Sequence, residues 1–540
     1  MTSLTLFVAK FALDHRPRLS RAGKPKVRTG CITCRRRRVK CDESKPACSV
    51  CLKYQGRCEG YKSSKPQETG YSSQYRAIRP RLEYNDAEKA FPIEPDCTSC
   101  MFSNQLEKDH FDYWLAFTET MLLFRSDLLT KVIPQLSWQD PVIKHAALAI
   151  GASALSGTTR RERMLGKGRF NSDALVHYGK AMKLLFSSKM PPERTLLACL
   201  LFITFESLRG NKVAGLSHIN HGSLILDQHT PQGVDPNPLL DEVMTSFQHF
   251  GLQSWSHSGT HPKETDIRVP WCCRGRKARY AVQEMPSVFE SLEMARRWWD
   301  IVRHHLEHHA PLQTGFRVEG VSFGEAKQVP PDYASPASQK RIRSFVHFLD
   351  SWSLSFQPLA IKAESGKTAN AAEYLKALSL RIHYLHTWAA IRTAGWTDVE
   401  DIGRITPTFL DIVALSRELL SAQATRQLLV PNGEVFTLED SPTWPLGSAC
   451  LMCQASEVKE EVVRLFKEYP RRDGLWDTHG FLLMIEWLKE MSSAGYAFDE
   501  QRHIADCNVV FREHSVMLVK RLWNPAQSKW KHSCISFNIL

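Results

Sequence analysis

Helical periodicity dominates the chain from about residue 104 onward. Apolar residues recur at spacings of three and four, which places them on one face of a helix. Strand-like alternation is scarce throughout, so the pattern predicts a large all-α domain over residues 105–540. The apolar stripes behind this prediction include Leu175, Tyr178, Met182 and Leu185; Ile342, Phe345, Leu349, Trp352 and Phe356; Leu375, Leu378, Ile382, Leu385 and Trp388; and the stretch from Leu475 to Met491.

Local signals refine this helical prediction. Asp140-Pro141 is typical of a helix N-cap followed by proline at the first helical position. The segment from Glu193 to Leu208 is apolar nearly all round, as expected of a buried central helix. Two stretches rich in Pro, Gly or polar residues, His229–Asn237 and Ser254–Gln283, are predicted to be loops.

The N-terminal fifth of the chain lacks this periodicity. Residues 61–104 contain four prolines and no heptad pattern, so they are predicted to be a linker. Residues 1–26 are predicted to be a basic disordered tail, and residues 27–60 form a separate Cys-rich block. The longest apolar run, Leu196 to Phe205, is shorter than the roughly 18 residues of a membrane span, so we expect a soluble protein without a membrane partner.

Positive charge is concentrated at the N-terminus. The 540-residue chain carries a formal net charge of +13, of which residues 1–60 hold +11, from 15 Lys and Arg against 4 Asp and Glu. The remaining residues are close to neutral. This asymmetry indicates a basic module for a polyanion joined to a near-neutral body.

Six of the 15 cysteines lie within this basic block, in two halves of the same plan. Each half contains a Cys-x-x-Cys pair, six residues and another Cys, and such pairs are typical of zinc sites. Without a secretory signal, clustered cysteines favour metal ligands over disulfides. Six thiolates cannot fill two separate tetrahedral shells, which need eight ligands, so a binuclear cluster with shared thiolates is the economical arrangement. The six are Cys31, Cys34, Cys41, Cys48, Cys51 and Cys58.

These residues resemble the fungal binuclear zinc cluster (Zn2Cys6) DNA-binding domain at all six ligand positions. The resemblance implies two structural Zn²⁺ ions bridged by Cys31 and Cys48. Cys34 and Cys41 would complete one shell, and Cys51 and Cys58 the other. Pro46 matches the proline of the family's connecting loop. A module of this size has too little apolar surface to form its own hydrophobic core. We therefore expect zinc binding, which contributes about 10 kcal/mol or more per structural site, to drive its folding.

The same resemblance implies how DNA is recognised. The segment after Cys34 would be a short helix in the major groove, reading CGG triplets through Arg37 and Arg38, because arginine bonds both acceptors of guanine. The remaining basic residues are assigned to phosphate contacts, and they are Arg35, Arg36, Lys40, Lys45 and Lys53. The alternative interpretation is that Arg35–Arg38 is only a solvated basic run or a nuclear-import signal.

Three segments of the helical body are similar to the fungal-specific transcription factor regulatory domain of the second type. They are Ala174–Ala181, Leu196–Asn211 and His218–Gly222. The similarity is strongest over about residues 105–230. It implies an all-α regulatory region that receives a co-activator or a small-molecule inducer.

Other chemistry-bearing features favour ordinary structural roles. The helix carrying His304, His305, His308 and His309 lacks a His-Glu-x-x-His motif, so these are expected on a solvated face. The isolated pairs Cys97/Cys100 and Cys450/Cys453 are taken as incidental thiols. Glu434 to Trp444 could be a weak activation segment, although an ordinary loop is favoured. The sequence contains no phosphate-binding glycine loop, dinucleotide fingerprint or nucleophile elbow.

The sequence therefore predicts a nuclear transcription factor of the RNA polymerase II type, acting as a pathway-specific activator and not as an enzyme. Its partner would be double-stranded DNA with CGG triplets, with monomer or homodimer left open. One alternative is an enzyme or ligand sensor that a non-specific basic module tethers to chromatin. A second is a zinc-buffering thiol protein.

Overall fold

The structure is a computed structural model in which the chain divides into two compact units, Met1–Ile93 and Glu94–Leu540. The residues that the structure describes are 30–37, 39–45, 47–53, 58, 101–230, 238–255, 282–309, 316–318, 336–392, 403–426, 434–439, 441–453, 455–493, 507–511, 515–524 and 529–538. The predicted tail of residues 1–26 lies outside them, as does the predicted linker apart from its last four residues.

The first unit contains two short helices, α1 (Ile32–Arg36) and α2 (Ser49–Lys53). The buried core of its described part consists of four cysteines, with Cys41, Val50 and Cys58 packed against them. Thiols therefore occupy the place that aliphatic side chains take in a larger domain.

The second unit is predominantly helical, which confirms the predicted fold class. Its helices in chain order are α3 (Gln105–Thr120), a π-helical turn (Leu128–Val132) leading into α4 (Ile133–Ser137), α5 (Pro141–Leu155), α6 (Arg160–Met164), α7 (Asn171–Ser187), α8 (Pro192–Arg209), α9 (Lys212–His229), α10 (Pro238–Trp255), α11 (Leu292–His309), α12 (Pro336–Ser365), α13 (Ala371–Arg392), α14 (Thr406–Arg426), α15 (Thr443–Met452), α16 (Ser456–Glu468) and α17 (Thr478–Ser493). A 3₁₀ turn at Val282–Glu284 precedes α11.

Helix ends follow from local chemistry. The Asp140 carboxylate accepts a hydrogen bond from the Val142 N–H at 2.9 Å, and Pro141 is the first residue of α5, as predicted. Gly210 ends α8 in the left-handed region (φ 85°), a conformation that glycine adopts without a Cβ clash. The side chain of Asn211 then caps α9. Only Gly210 and Asn211 thus separate the two 18-residue helices α8 and α9.

The body contains two hydrophobic clusters. The larger joins α3 to α5, α7 to α10 and α13 to α17, and the smaller joins α11, α12 and part of α13. Helix α8 is buried continuously from Leu196 to Leu208, which confirms the predicted central helix. The stripes on α12 and α13 also face the core. On α7 the helix is confirmed but its buried face is Ala174, His177 and Ala181, whereas Leu175 is exposed.

Strands add to the helical body in two places. A three-stranded sheet has the order β2-β3-β4, with β2 (Val435–Thr437) parallel to β3 (Arg471–Asp473), and β3 antiparallel to β4 (Trp476–Asp477). A four-stranded sheet has the order β1-β5-β6-β7, from β1 (Phe316–Val318), β5 (Cys507–Phe511), β6 (Ser515–Asn524) and β7 (Lys529–Asn538). The pattern did not predict these strands. The helix expected from Leu475 begins at Thr478 instead, since Trp476 pairs in β4.

The acidic segment at residues 434–444 is part of this packing. Phe436 is buried against Phe117, and the Glu439 carboxylate accepts hydrogen bonds from the backbone N–H groups of Leu123 and Phe124. Glu439 also forms an ion pair with Arg296 at 2.9 Å. The favoured prediction of an ordinary loop over Glu434–Trp444 is therefore wrong in part, because Val435–Thr437 form β2 and α15 begins at Thr443. The alternative of an activation segment stays a prediction. Of the predicted loops His229–Asn237 and Ser254–Gln283, residues 231–237 and 256–281 lie outside the described residues. Their described ends are not loop, because His229 ends α9, Ser254 lies in α10 and Gln283 lies in the 3₁₀ turn.

Candidate metal centre

Two helical turns present the most buried thiols. Cys31 precedes α1, which contains Cys34, and Cys48 precedes α2, which contains Cys51. In each pair the backbone N–H of the second cysteine donates to the Sγ atom of the first, at 3.4 Å. The two halves therefore repeat one local geometry, as their repeated spacing suggests.

The six thiols fall into two overlapping groups. Cys31, Cys34, Cys41 and Cys48 form one group, and Cys31, Cys48, Cys51 and Cys58 the other, with the ligand atoms of each group within 4.8 Å of one another. Cys31 and Cys48 belong to both. These groups have the same members as the two zinc shells that the family resemblance implies.

Sulfur distances test whether zinc fits. Thiolates that bind one Zn²⁺ tetrahedrally at about 2.3 Å lie about 3.8 Å apart. The Cys31 Sγ atom lies 3.6 Å from that of Cys48 and 3.8 Å from that of Cys51. The Cys34 Sγ atom lies 3.6 Å from that of Cys48. An all-thiolate set at this spacing fits a binuclear zinc cluster, and it has no open position for a catalytic water.

Burial of these thiols disfavours their thiolate forms unless a cation is bound. Cys31, Cys34, Cys48 and Cys51 have no solvent-exposed surface. Burial raises the pKa of the Cys34 thiol far above its ordinary value, and it also raises that of Cys48. Zinc binding supplies the charge that stabilises the thiolates, and it releases their protons.

A carboxylate braces the loop between the two halves. The Asp42 Oδ2 atom accepts hydrogen bonds from the Ser44 hydroxyl at 2.7 Å and from the Ser49 backbone N–H at 3.1 Å. These bonds hold the pKa of Asp42 well below its ordinary value. The sequence pattern did not predict this role, because Asp42 and Ser49 lie seven residues apart and no local capping rule connects them.

The basic residues lie around this cluster. Arg35 and Arg36 are in α1, and Arg37 follows it directly. Arg38 is not among the described residues. The exposed basic side chains that the structure describes here are Arg36, Arg37, Lys40, Lys45 and Lys53. Their roles at DNA remain predictions.

Other candidate ligands do not assemble. Among the described residues, the only groups of three or more close metal-binding side chains are the two thiol groups above. Cys450 and Cys453 are buried thiols, and Cys97 and Cys100 lie outside the described residues. The solvated face expected for the histidines of α11 is wrong for two of them. His304 is buried, and His305 packs edge-on against Phe345 and Phe348.

The three segments that carried the second resemblance meet in the helical body. Tyr178 of α7 stacks on Phe205 of α8, with 4.4 Å between ring centroids. Its hydroxyl lies 3.0 Å from Nε2 of His218 on α9, which also contacts Phe202. Burial lowers the pKa of His218 to about 4, so this imidazole is neutral at physiological pH.

Comparison with known families bears directly on the thiol cluster. Residues 29–68 match the family described as the fungal Zn(2)-Cys(6) binuclear cluster domain. This match covers the whole cysteine array, and the clustered thiols agree with it. The N-terminal segment is therefore a domain of this family, with zinc as its cofactor.

Similar proteins include several fungal regulators. The chain is 27% identical over 283 residues to the aspercryptin biosynthesis cluster-specific transcription regulator atnN of Emericella nidulans, covering 49% of this chain and 46% of that protein. It is 25% identical over 286 residues to the transcription regulator lscL of Purpureocillium lilacinum, covering 45% and 62%. Over 88 residues it is 41% identical to the transcriptional regulatory protein moc3 of Schizosaccharomyces pombe, or 16% of each chain.

These alignments span less than two thirds of each relative's length. Within the described part of this chain, no helix combines the length and apolar character needed to cross a membrane.

Proposed function

We propose that this chain is a nuclear, sequence-specific transcription factor of the RNA polymerase II type. Its zinc cluster binds double-stranded DNA at CGG-containing promoter sites. The observation that carries this proposal is the all-thiolate cluster with exposed basic residues directly after its first helix. The names of the similar proteins support the same function.

Each basic residue has an assigned role in this proposal. Arg37 and Arg38 contact guanine in the major groove, where a bidentate pair discriminates by about 1–3 kcal/mol. Arg35, Arg36, Lys40, Lys45 and Lys53 neutralise phosphates, which adds affinity without sequence information. The six cysteines hold two zinc ions, with Cys31 and Cys48 as the bridging ligands.

The helical body has the regulatory role. We assign residues 27–60 to DNA binding, 61–104 to a linker and 105–540 to a regulatory domain that acts without catalysis. The regulatory domain receives a co-activator or a small-molecule inducer, and the factor activates a single pathway.

Selection of binding sites from random duplex DNA tests the proposal. The zinc-loaded full chain is compared at fixed salt with Arg37→Ala, Arg38→Ala and the control Lys53→Ala. The wild type is expected to enrich CGG triplets, and each Arg variant to lose discrimination at one base position. Lys53→Ala should keep the motif and reduce the salt slope by about 0.9, because one phosphate contact is lost.

Each outcome of the selection is informative. One enriched triplet indicates a monomer, and two triplets at a fixed spacing indicate a homodimer. Binding without any sequence preference would overturn the proposal and favour a basic tether. Ready loss of zinc together with non-specific binding would favour a zinc-buffering role instead.

A further inference from the structure

Two buried arginines form a clamp inside the helical body, far from the zinc cluster in sequence. The Arg163 Nη2 atom donates to Oε2 of Glu434 at 2.8 Å, and the Arg472 Nη2 atom donates to Oε1 of the same carboxylate at 3.0 Å. The side chains of Arg163 and Arg472 are only 8% and 2% exposed. One carboxylate is thus held through both of its oxygens by two fixed cations.

The clamp does not depend on Glu434 for its position. The Arg163 Nε atom donates to the Leu208 carbonyl oxygen at 3.0 Å, and the Arg472 Nη1 atom donates to that of Ser207 at 2.7 Å. Both carbonyls belong to the last turn of α8, where the helix dipole favours cations. The backbone therefore anchors each guanidinium and leaves one Nη2 directed at the carboxylate.

Glu434 is the accessible member of this cluster. Its side chain is 20% exposed, and it precedes β2 beside a narrow cleft whose free volume is about 20 Å³, room for about one water molecule. Tyr113, Phe117 and Phe436 line the cleft beside the arginines. Burial alone would raise the pKa of Glu434, but Arg472 and Arg163 hold it below its ordinary value. The clamp thus stabilises an anion.

We propose that Arg163 and Arg472 form a receptor for a small organic carboxylate, and that Glu434 is its resting internal occupant. A free acid binds by displacing the Glu434 carboxylate from the same two Nη2 donors. The acid takes the space that the displaced Glu434 carboxylate vacates, so the site fits a carboxylate of about the size of acetate. Release of Glu434 frees the start of β2, which pairs with β3. The regulatory meaning of this site rests on the proposed function, whereas the binding is measured without DNA.

Chemical rescue with formate and acetate tests the clamp in the zinc-loaded full chain. Glu434→Ala removes the internal carboxylate and leaves space for a free one. Thermal unfolding is followed by tryptophan fluorescence, with sodium chloride at equal ionic strength as the reference. The proposal predicts a saturable rise in melting temperature with either acid, because a ligand that binds the folded state stabilises it by mass action.

Two control variants make this test specific. Glu434→Gln fills the clamp with a neutral group of the same shape, and Glu461→Ala removes a carboxylate from the surface arginine pair Arg417 and Arg464. Neither is expected to show the saturable rise. Adding Arg163→Lys to Glu434→Ala should weaken acetate binding about 10- to 100-fold, since a hydrogen bond to a charged group contributes about 1.5–3 kcal/mol. An equal response of Glu434→Ala and Glu434→Gln would overturn the receptor assignment.

Displacement is tested in the wild-type chain. Line broadening of ¹³C-acetate in NMR should be saturable and should disappear in Arg163→Lys. If the wild type shows no saturable broadening at acetate concentrations up to 100-fold the acetate dissociation constant of Glu434→Ala, displacement of Glu434 is overturned. If Glu434→Ala is not recovered folded from chloride, the folded yield in acetate replaces the melting temperature, and equal yields in the two salts would overturn the proposal. DNA selection on the wild type is a separate measurement, so either proposal can fail alone.

Discussion

A fully buried ion pair offers the sharpest stability prediction. Asp473 has no exposed side-chain surface, and its Oδ1 atom accepts from Nη2 of Arg471 at 2.7 Å. Its Oδ2 atom accepts from the backbone N–H of Thr443 at 3.1 Å and from the Thr443 hydroxyl. We expect Asp473→Asn to keep the shape of the side chain and to leave the Arg471 charge without its anion.

The expected loss of stability in Asp473→Asn follows from the burial of Arg471. Arg471 is 1% exposed, and its other side-chain partners in the described part of the chain, Gln423 and Ser441, are neutral. Breaking a buried pair by neutralising one member costs about 3–5 kcal/mol. Urea unfolding followed by tryptophan fluorescence measures the cost, and it reports on the helical body alone because residues 1–113 contain no tryptophan.

Two comparisons decide whether the buried charge is the cause. Glu461→Gln alters an ion pair with the half-exposed Arg464, and it should cost less than about 1 kcal/mol. Arg471→Met combined with Asp473→Asn removes both charges, so its cost should fall at least 1 kcal/mol below the sum of the single costs. Additive effects, or an Asp473→Asn cost as small as that of Glu461→Gln, would refute this reasoning.

Three further outcomes are expected. Chelation of zinc should abolish DNA binding and leave tryptophan-monitored unfolding unchanged; a lower unfolding midpoint would contradict this. Burial lowers the pKa of His177 to about 4, below its unfolded value of about 6.5. Its stabilising contribution is therefore complete above pH 6.5 and declines by about 3 kcal/mol as the pH falls to 4. His177→Gln should reduce the difference in unfolding free energy between pH 7 and pH 5, measured by urea titration. An unchanged difference would show that His177 does not cause this pH dependence. A Cβ at Gly222 would lie 2.1 Å from Cε1 of Phe247, so Gly222→Ala should cost about 1–3 kcal/mol. Gly179→Ala, which meets nothing within 4 Å, should stabilise α7 by about 0.5–1 kcal/mol; similar urea midpoints for the two variants would contradict this steric reasoning.

Local signals in the sequence predicted the parts of the structure that depend on neighbouring residues. The thiol cluster could be predicted because the Cys-x-x-Cys spacing places both thiols on one helical turn. Helix α5 was readable at its start because Asp140 and Pro141 act within four residues. On α7 the predicted apolar face lies one position away from the buried face. The prediction used the large side chain of Leu175, but α7 packs closely against α5, and this contact buries the small side chain of Ala174 instead.

Long-range partners could not be read in this way. Arg163 and Glu434 lie 271 residues apart, and no spacing rule connects them. The sheet of β5 to β7 is a different case. β6 and β7 are separated by four residues that include Pro525, a recognisable hairpin signal that the dominant helical pattern obscured.

The two units draw on different sources of stability, and this difference bears on regulation. The described core of the first unit is made of thiols, so metal binding and folding are one equilibrium there. The second unit has two apolar clusters and a fully buried ion pair, and none of their members is a cysteine of the zinc cluster. A ligand at the Arg163 and Arg472 clamp would therefore change the stability of the helical body without changing zinc affinity. In the proposed transcription factor, we therefore expect regulation through this site to act on recruitment and not on the DNA sequence that the zinc cluster recognises.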